Sequence, residues 1–206
     1  MNEIEAVIRA VGAERVPDPR MGVFEVRLER ADDGALALRG ESTDPAAIEA
    51  VLERAAASGI RLVDEVVRLP DPELGDGIAA TVRAAIAPVH AEPRVSSTQV
   101  SQYVLGHRLD LLSRRDLWYR VRGEDGYIGW VHHGYLQVCL PDEASAWERG
   151  VGGEPVVSLG AELVDPNGHL VTRAPWGARL IRVAPRTLRL PDGRVGHTGD
   201  SGSPCG

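Results

Sequence analysis

The sequence predicts an α+β N-terminal part followed by two small, mainly-β barrels. Helix-spaced apolar residues and strand patterns share the first third of the 206-residue chain. Two later stretches hold short strands separated by turns, a spacing typical of small antiparallel barrels. The expected boundaries are an α+β domain over 1–72, a linker over 73–90, a first barrel over 91–140, a linker over 141–154, a second barrel over 155–198 and a tail over 199–206.

The N-terminal stretch alternates helix and strand signals. Apolar residues recur at helical spacing from Ile4 to Val11, and Asp44 can cap a second helix that begins at Pro45. Proline at that position loses no hydrogen bond, because the first helical N–H groups lack partners anyway. We expect strands at 22–29, 35–38 and 60–69. The order helix, strand, strand, helix, strand loosely resembles a BON-type domain, and the alternative is a plain α+β packing module.

The middle of the chain is organised around a predicted aromatic hairpin. Residues 118–122 and 127–131 alternate large and polar side chains with the period of a half-buried strand. Glu124-Asp125-Gly126 between them is turn chemistry, because Asp and Gly accept tight backbone conformations. Residues 132–136 are expected to form a short final turn.

These residues resemble a known family. The motifs D-L-W-Y-R-V-R (116–122), D-G-Y-I-G-W-V (125–131) and G-Y-L (134–136) are similar to the bacterial SH3 (SH3b) domain of γ-D-glutamyl-L-diamino-acid endopeptidases. Those enzymes are NlpC/P60 cysteine peptidases that cut murein peptides. P-W-G-A-R-L (175–180) and L-P-D-G-R (190–194) resemble their second such domain. The resemblance therefore implies two mainly-β SH3-like barrels.

Composition limits the function classes. The net charge of −7 argues against a nucleic-acid partner, which would need a basic face. The longest apolar runs are too short for a membrane span, and the first residues lack the pattern of a signal peptide. From these features we expect a cytoplasmic location. Two cysteines do not make a disulfide scaffold.

The sequence offers weak candidates for catalysis. The resemblance implies a catalytic domain with a Cys nucleophile and a later His, but only Cys139 and Cys205 occur here. Cys139 has apolar neighbours and is expected to be a buried thiol, and no His follows Cys205 to act as its base. Ser201 lies in a G-D-S-G-S-P stretch like a serine-protease loop, and a Gly/Ser tail is the expectation. We expect no catalytic residue.

No metal or cofactor is expected either. His107, His132 and His133 have neither helical His pairs nor zinc-spaced cysteines around them. The three carboxylates of the region are expected at turns and strand edges; they are Asp110, Asp116 and Asp125.

The candidate site is therefore aromatic. Five rings fall within about twenty residues, too many for one small core; they are Trp118, Tyr119, Tyr127, Trp130 and Tyr135. We expect one Trp in the core and some Tyr exposed, where ring and hydroxyl suit sugar, peptide or protein ligands. The resemblance implies that the first barrel supplies a Tyr to a murein-peptide site, which is Tyr127 or else Tyr119. The alternative is that the rings only close the ends of the barrel.

Three functions remain open at this stage. The first is a non-catalytic accessory protein that recognises murein peptides or supports a peptidase domain. The second is the front part of a γ-D-glutamyl-L-diamino-acid endopeptidase. The third is a protein–protein interaction module.

Overall fold

The computed structural model describes residues 2–30 and 34–199, which are mostly β-strand with three α-helices. The chain divides into two compact units. One holds the chain up to Glu73 together with Gly126–Ile128, and the other holds Leu74–Asp125 and the chain from Gly129 onward.

The first unit is the predicted α+β part. Its elements are α1 (Asn2–Arg15), β1 (Phe24–Arg30), β2 (Leu36–Ser42), α2 (Pro45–Ala57) and β3 (Val63–Arg68). β1 pairs antiparallel with β2, and β2 pairs parallel with β3. A helical crossover is the usual way to join parallel strands, and α2 supplies it. The apolar faces of both helices bury Ile4, Ile48 and Val51 against Leu38 and Val66 of the sheet.

A seven-stranded sheet with the order β10-β4-β7-β8-β9-β5-β6 opens the second unit. Its strands are β4 (Ala79–Val82), β5 (Ile86–His90), β6 (Gln99–Val104), β7 (Arg108–Arg115), β8 (Trp118–Gly123), β9 (Ile128–His132) and β10 (Leu136–Cys139). A 3-10 turn, His133–Tyr135, joins the last two strands, as the sequence predicts. The core of this sheet includes Val89, Leu109, Leu111, Val121 and Val131.

The predicted linker over 73–90, within which we expected only a short helix or strand at 78–86, is wrong for the half of its length that forms β4 and β5. β4 lies between β10 and β7 and β5 lies between β9 and β6, so this stretch contributes two internal strands. Proline and glycine around residues 70–77 suggested a linker, yet short apolar runs between such residues are also typical of buried strands. The four residues of β4 are all buried.

Helix α3 (Pro141–Glu148) follows and leads to a six-stranded sheet. The strands of that sheet are β11 (Glu154–Val157), β12 (Ala161–Val164), β13 (Leu170–Ala174), β14 (Arg179–Ala184), β15 (Thr187–Arg189) and β16 (Val195–Thr198). The predicted strands after residue 155 are confirmed to within a few residues. Leu163, Leu180 and Leu188 lie in its core with Leu105, which comes from the turn after β6.

Candidate functional site

The candidate site lies on the face of the seven-stranded sheet that points away from its core. Successive side chains of a strand point to opposite faces. Val121 of β8 and Val131 of β9 point into the core, so Trp118, Trp130 and His132 lie on the other face.

Both tryptophans are buried, where the sequence led us to expect one of them in the core. Trp118 is 9% exposed and Trp130 is 3% exposed. They pack outside the apolar cluster of the sheet, among histidine and arginine side chains. Alternation shows that two residues share a face and does not show which face carries the core.

A row of rings crosses this face and reaches its end. The Trp118 ring lies between His90 and His132, with ring centroids 5.3 Å and 5.4 Å away and both pairs edge-to-face. His132 in turn contacts the rings of His133 at 4.6 Å and Tyr135 at 6.3 Å. Such distances and angles are the favourable ones for aromatic pairs. We call His90, Trp118, His132, His133 and Tyr135 the ring row.

Backbone and side-chain hydrogen bonds fix the exposed end of the ring row. The His133 N–H donates to the Leu117 carbonyl over 2.8 Å, which ties the 3-10 turn to the β7–β8 turn. The Gly134 N–H donates to His132 Nδ1 over 3.2 Å and sets the orientation of that ring. His133 is exposed, and His132 and Tyr135 are half-buried, so this end is open to a ligand.

Arginine side chains flank the rings. The guanidinium carbons of Arg115 and Arg120 lie 5.0 Å and 4.8 Å from the centroid of the Trp130 ring. Arg114 lies 5.5 Å from the centroid of Tyr119. Cations at such distances are attracted to the ring face. Arg114 and Arg115 are exposed and lie beside aromatic rings.

The five predicted ring residues do not form one cluster. Trp118 and Tyr135 belong to the ring row, and His90, the neighbour of Trp118, pairs with Trp130 across β5 and β9. Tyr119 is half-buried, packs against the core and carries Arg114 above its ring. Tyr127 belongs to the first unit, whereas the other four lie in the second.

Sequence reasoning missed His90 and the arginines. His90 lies in the stretch predicted to be a linker. Because no strand was predicted there, the sequence did not assign His90 to a face of the sheet. Its Nδ1 lies 3.1 Å from the Ser97 carbonyl, and the residue is 9% exposed. The signal that could have found it is the Ile-Ala-Pro-Val-His alternation of β5.

The other polar candidates have structural partners. Asp125 accepts a hydrogen bond from the hydroxyl of buried Tyr103 over 2.9 Å, and Asp110 lies 3.4 Å from Arg108. Asp116 has a positive φ of 52° in the β7–β8 turn. Asp116 and Asp125 lie in turns, as expected, whereas Asp110 lies inside the internal strand β7 and not at a strand edge. His107 Nε2 lies 3.2 Å from the Gly177 carbonyl.

Cys139 is a partly buried free thiol at the end of β10. Burial raises the pKa of the Cys139 thiol, and the nearby Glu143 charge raises it further, so the thiol stays protonated at neutral pH. Among the residues that the structure describes, no group of three or more His, Cys, Asp or Glu side chains is arranged to hold a metal ion. Ser201 and Cys205 lie outside the described residues.

No helix within residues 2–30 and 34–199 is both long enough and apolar enough to cross a bilayer.

Part of the chain matches a known protein family. The model of the bacterial SH3 domain matches residues 86–137, from the start of β5 to the middle of β10. A search of the curated proteins gives no match. The family match starts inside the predicted linker, in agreement with the strand found there.

Two solved structures show the similarity over a wider range. An NlpC/P60 family protein from Bacillus cereus is 15% identical with a TM-score of 0.48, over 62% of this chain and 55% of its own length. An NlpC/P60 endopeptidase from Photobacterium damselae subsp. piscicida is 13% identical with a TM-score of 0.49, over 67% of this chain and 35% of its own. The chain thus spans about half or less of those proteins. Residues 86–137 thus match the bacterial SH3 domain, and the two solved structures that resemble the chain are NlpC/P60 proteins.

Proposed function

We propose that the chain is a non-catalytic accessory protein whose bacterial SH3 domain recognises murein peptides and so supports a cell-wall peptidase. The observation that carries this proposal is the ring row, which ends in exposed His133 on a domain of that family. The six-stranded sheet is proposed as a second SH3b domain, on the strength of its similar succession of short strands.

The chemistry of the face suits such a ligand. Murein peptides carry free carboxylates and short aliphatic side chains. Half-buried Tyr135 offers apolar ring surface with a hydroxyl group, and exposed His133 adds a second ring at the same end of the ring row. Rings with polar handles are well suited to ligands that are apolar in one part and polar in another.

The test is a titration of the full chain with L-Ala-γ-D-Glu-diaminopimelate, followed by NMR. We expect shifts of the Trp118 indole and of the His132 and His133 signals, with saturation near millimolar ligand, about −4 kcal/mol of binding free energy. His133→Ala should raise the Kd about three- to tenfold, because a ring contact contributes about 0.5–1.5 kcal/mol. Tyr135→Ala should weaken binding by a similar factor, because it also removes a ring from the ring row.

His169→Ala is the matched control. His169 is an exposed histidine in the turn before β13, paired with Asp165 at 3.2 Å and remote in sequence from the rings. Its removal should leave the Kd unchanged. Equal affinities of wild type, His133→Ala and Tyr135→Ala would overturn the proposal, as would the absence of any shift up to about 10 mM peptide.

A further inference from the structure

A second concave surface lies apart from the ring row. Within the second unit, β10, α3 and the β15–β16 turn enclose a cleft of about 460 Å³. This volume falls in the usual range for small-molecule sites, about 300–1,000 Å³. Its walls are largely apolar and include Val138, Trp147, Val151 and Pro191. Val138 and Val151 are 38% and 57% exposed, so the apolar wall is accessible.

Arg189 places a cation in this apolar cleft. One of its nitrogens, Nη2, donates to the Val151 carbonyl and holds the guanidinium in place. In the described part of the chain, neither Nε nor Nη1 of Arg189 has a hydrogen-bond acceptor, and no carboxylate forms an ion pair with the side chain. A guanidinium can bind both oxygens of a carboxylate at once, and such paired bonds are strong and directional.

The acid in the cleft wall does not neutralise Arg189. Glu143 belongs to the first turn of α3, where its Oε2 accepts from the Leu140 N–H over 2.9 Å. That bond satisfies a free N–H at the start of the helix. The carboxylate of Glu143 is thus engaged with the backbone, while Arg189 keeps N–H donors for a ligand.

From this arrangement we infer that the cleft binds a free peptide C-terminus with an apolar last residue. The terminal carboxylate pairs with Arg189, and the last side chain packs against Trp147 and Val138. The indole N–H of Trp147 donates to the Gly106 carbonyl over 2.9 Å, so the ring is held as a rigid apolar wall. Pre-organised cation and ring reduce the entropy cost of binding.

The test uses the full chain and N-acetyl-Ala-Leu as the probe, with N-acetyl-Ala-Leu-amide as its uncharged partner. The Trp147 indole signal, identified from the Trp147→Phe variant, reports binding by NMR. We expect the acid to shift it with a millimolar Kd and the amide to bind at least about tenfold more weakly. Arg189→Gln should weaken binding of the acid to the level of the amide.

Arg149→Gln is the charge-matched control. Arg149 is exposed and lies outside the cleft lining, so its loss should leave the affinity for the acid unchanged. Ala146→Phe gives an independent check, because a larger side chain on the α3 wall fills the cleft without touching Arg189; it should abolish binding of both probes. Equal affinities for acid and amide, or an unaltered Kd in Arg189→Gln, would overturn the inference. Either result leaves the proposed role of the ring row untouched.

Discussion

At the residue scale, the environment of a side chain decides its chemistry. Cys139 ends β10 with a half-buried thiol near the Glu143 carboxylate, and both features raise the pKa of the thiol. A thiolate is the reactive form of cysteine, so a raised pKa lowers its reactivity at neutral pH. Cys139 is thus suited to packing and unsuited to nucleophilic attack.

We expect slow alkylation of Cys139 in the native protein. In the Cys205→Ser variant, which leaves Cys139 as the single thiol, the rate with iodoacetamide should keep rising with pH beyond about 8.5, the ordinary thiol value. In urea the rate should level off near that value. Mass spectrometry measures both rates. A native rate at pH 7 equal to the unfolded one would contradict the expectation.

At the element scale, α2 shows how local sequence fixes a helix. Asp44 precedes Pro45, and its carboxylate accepts from the Ala47 N–H over 3.2 Å. The same carboxylate lies 3.4 Å from Nε of Arg15, an exposed pair that contributes little. The start of this helix could be predicted from the sequence because cap and first turn are neighbours along the chain.

Replacement of that cap should destabilise the first unit measurably. Asp44→Ala is expected to lower the free energy of unfolding by about 1 kcal/mol, because the Ala47 N–H loses its side-chain acceptor and keeps only the carbonyl of residue 44. Asp44→Asn keeps an acceptor and should retain most of the stability despite the loss of charge. Urea denaturation followed by far-UV circular dichroism measures both. Equal losses in the two variants would assign the effect to the charge instead.

At the scale of the whole molecule, the two sheets of the second unit share backbone contacts. The Arg179 N–H donates to the Leu105 carbonyl over 2.8 Å, and Leu105 is fully buried in the core of the six-stranded sheet. Arg179 Nη2 also donates to Glu124 over 2.7 Å, which lowers the pKa of that carboxyl. A turn of one sheet therefore completes the core of the other.

Gly106 makes this close approach possible. Its φ is +83°, a region that favours glycine, and a Cβ there would overlap the Arg179 carbonyl oxygen. Gly168 has nearly the same φ, +84°, with open space around it. Alanine substitutions at Gly106 and Gly168 therefore separate two contributions to the free energy of unfolding: the strain of the backbone conformation, and the close contact with Arg179.

Both alanine variants should be destabilised, and Gly106→Ala more so. Gly168→Ala is expected to cost about 1–2 kcal/mol from the left-handed backbone alone. Gly106→Ala should cost about 1–3 kcal/mol more, because the sheets must move apart. Chemical denaturation followed by tryptophan fluorescence measures the difference. Equal costs would mean that the contact between the sheets contributes nothing to stability.

The ion pair between Glu124 and Arg179 makes the stability of the second unit depend on pH. The hydrogen bond from Arg179 lowers the pKa of Glu124 in the folded protein. The stabilisation that this ion pair contributes is therefore present at pH values above the unfolded pKa of Glu124. It disappears as the pH falls through the folded pKa. The contact between Leu105 and the six-stranded sheet carries no ionisable group and persists in acid.

Features that depend only on neighbouring residues along the chain could be predicted from the amino-acid sequence. These include the cap at Asp44, the turn at 124–126, the strand alternation of 118–122 and 127–131, and the bacterial SH3 motifs within 86–137. Each rests on local backbone preference or on a pattern read within a few residues. The strand at 86–90 escaped because its hydrogen-bond partners, β6 and β9, come later in the chain.

The sequence did not show which face of the seven-stranded sheet carries the core, or which side chains come together on the opposite face. Both depend on how distant segments of the chain pack. Strand pairing brings His90 beside Trp118 and Trp130, across 28 and 40 positions of sequence, and folding sets Arg189 opposite α3. Such contacts arise because burial of apolar side chains on one face leaves the other face to assemble from distant residues. No local pattern encodes that assembly, since alternation is the same for both faces.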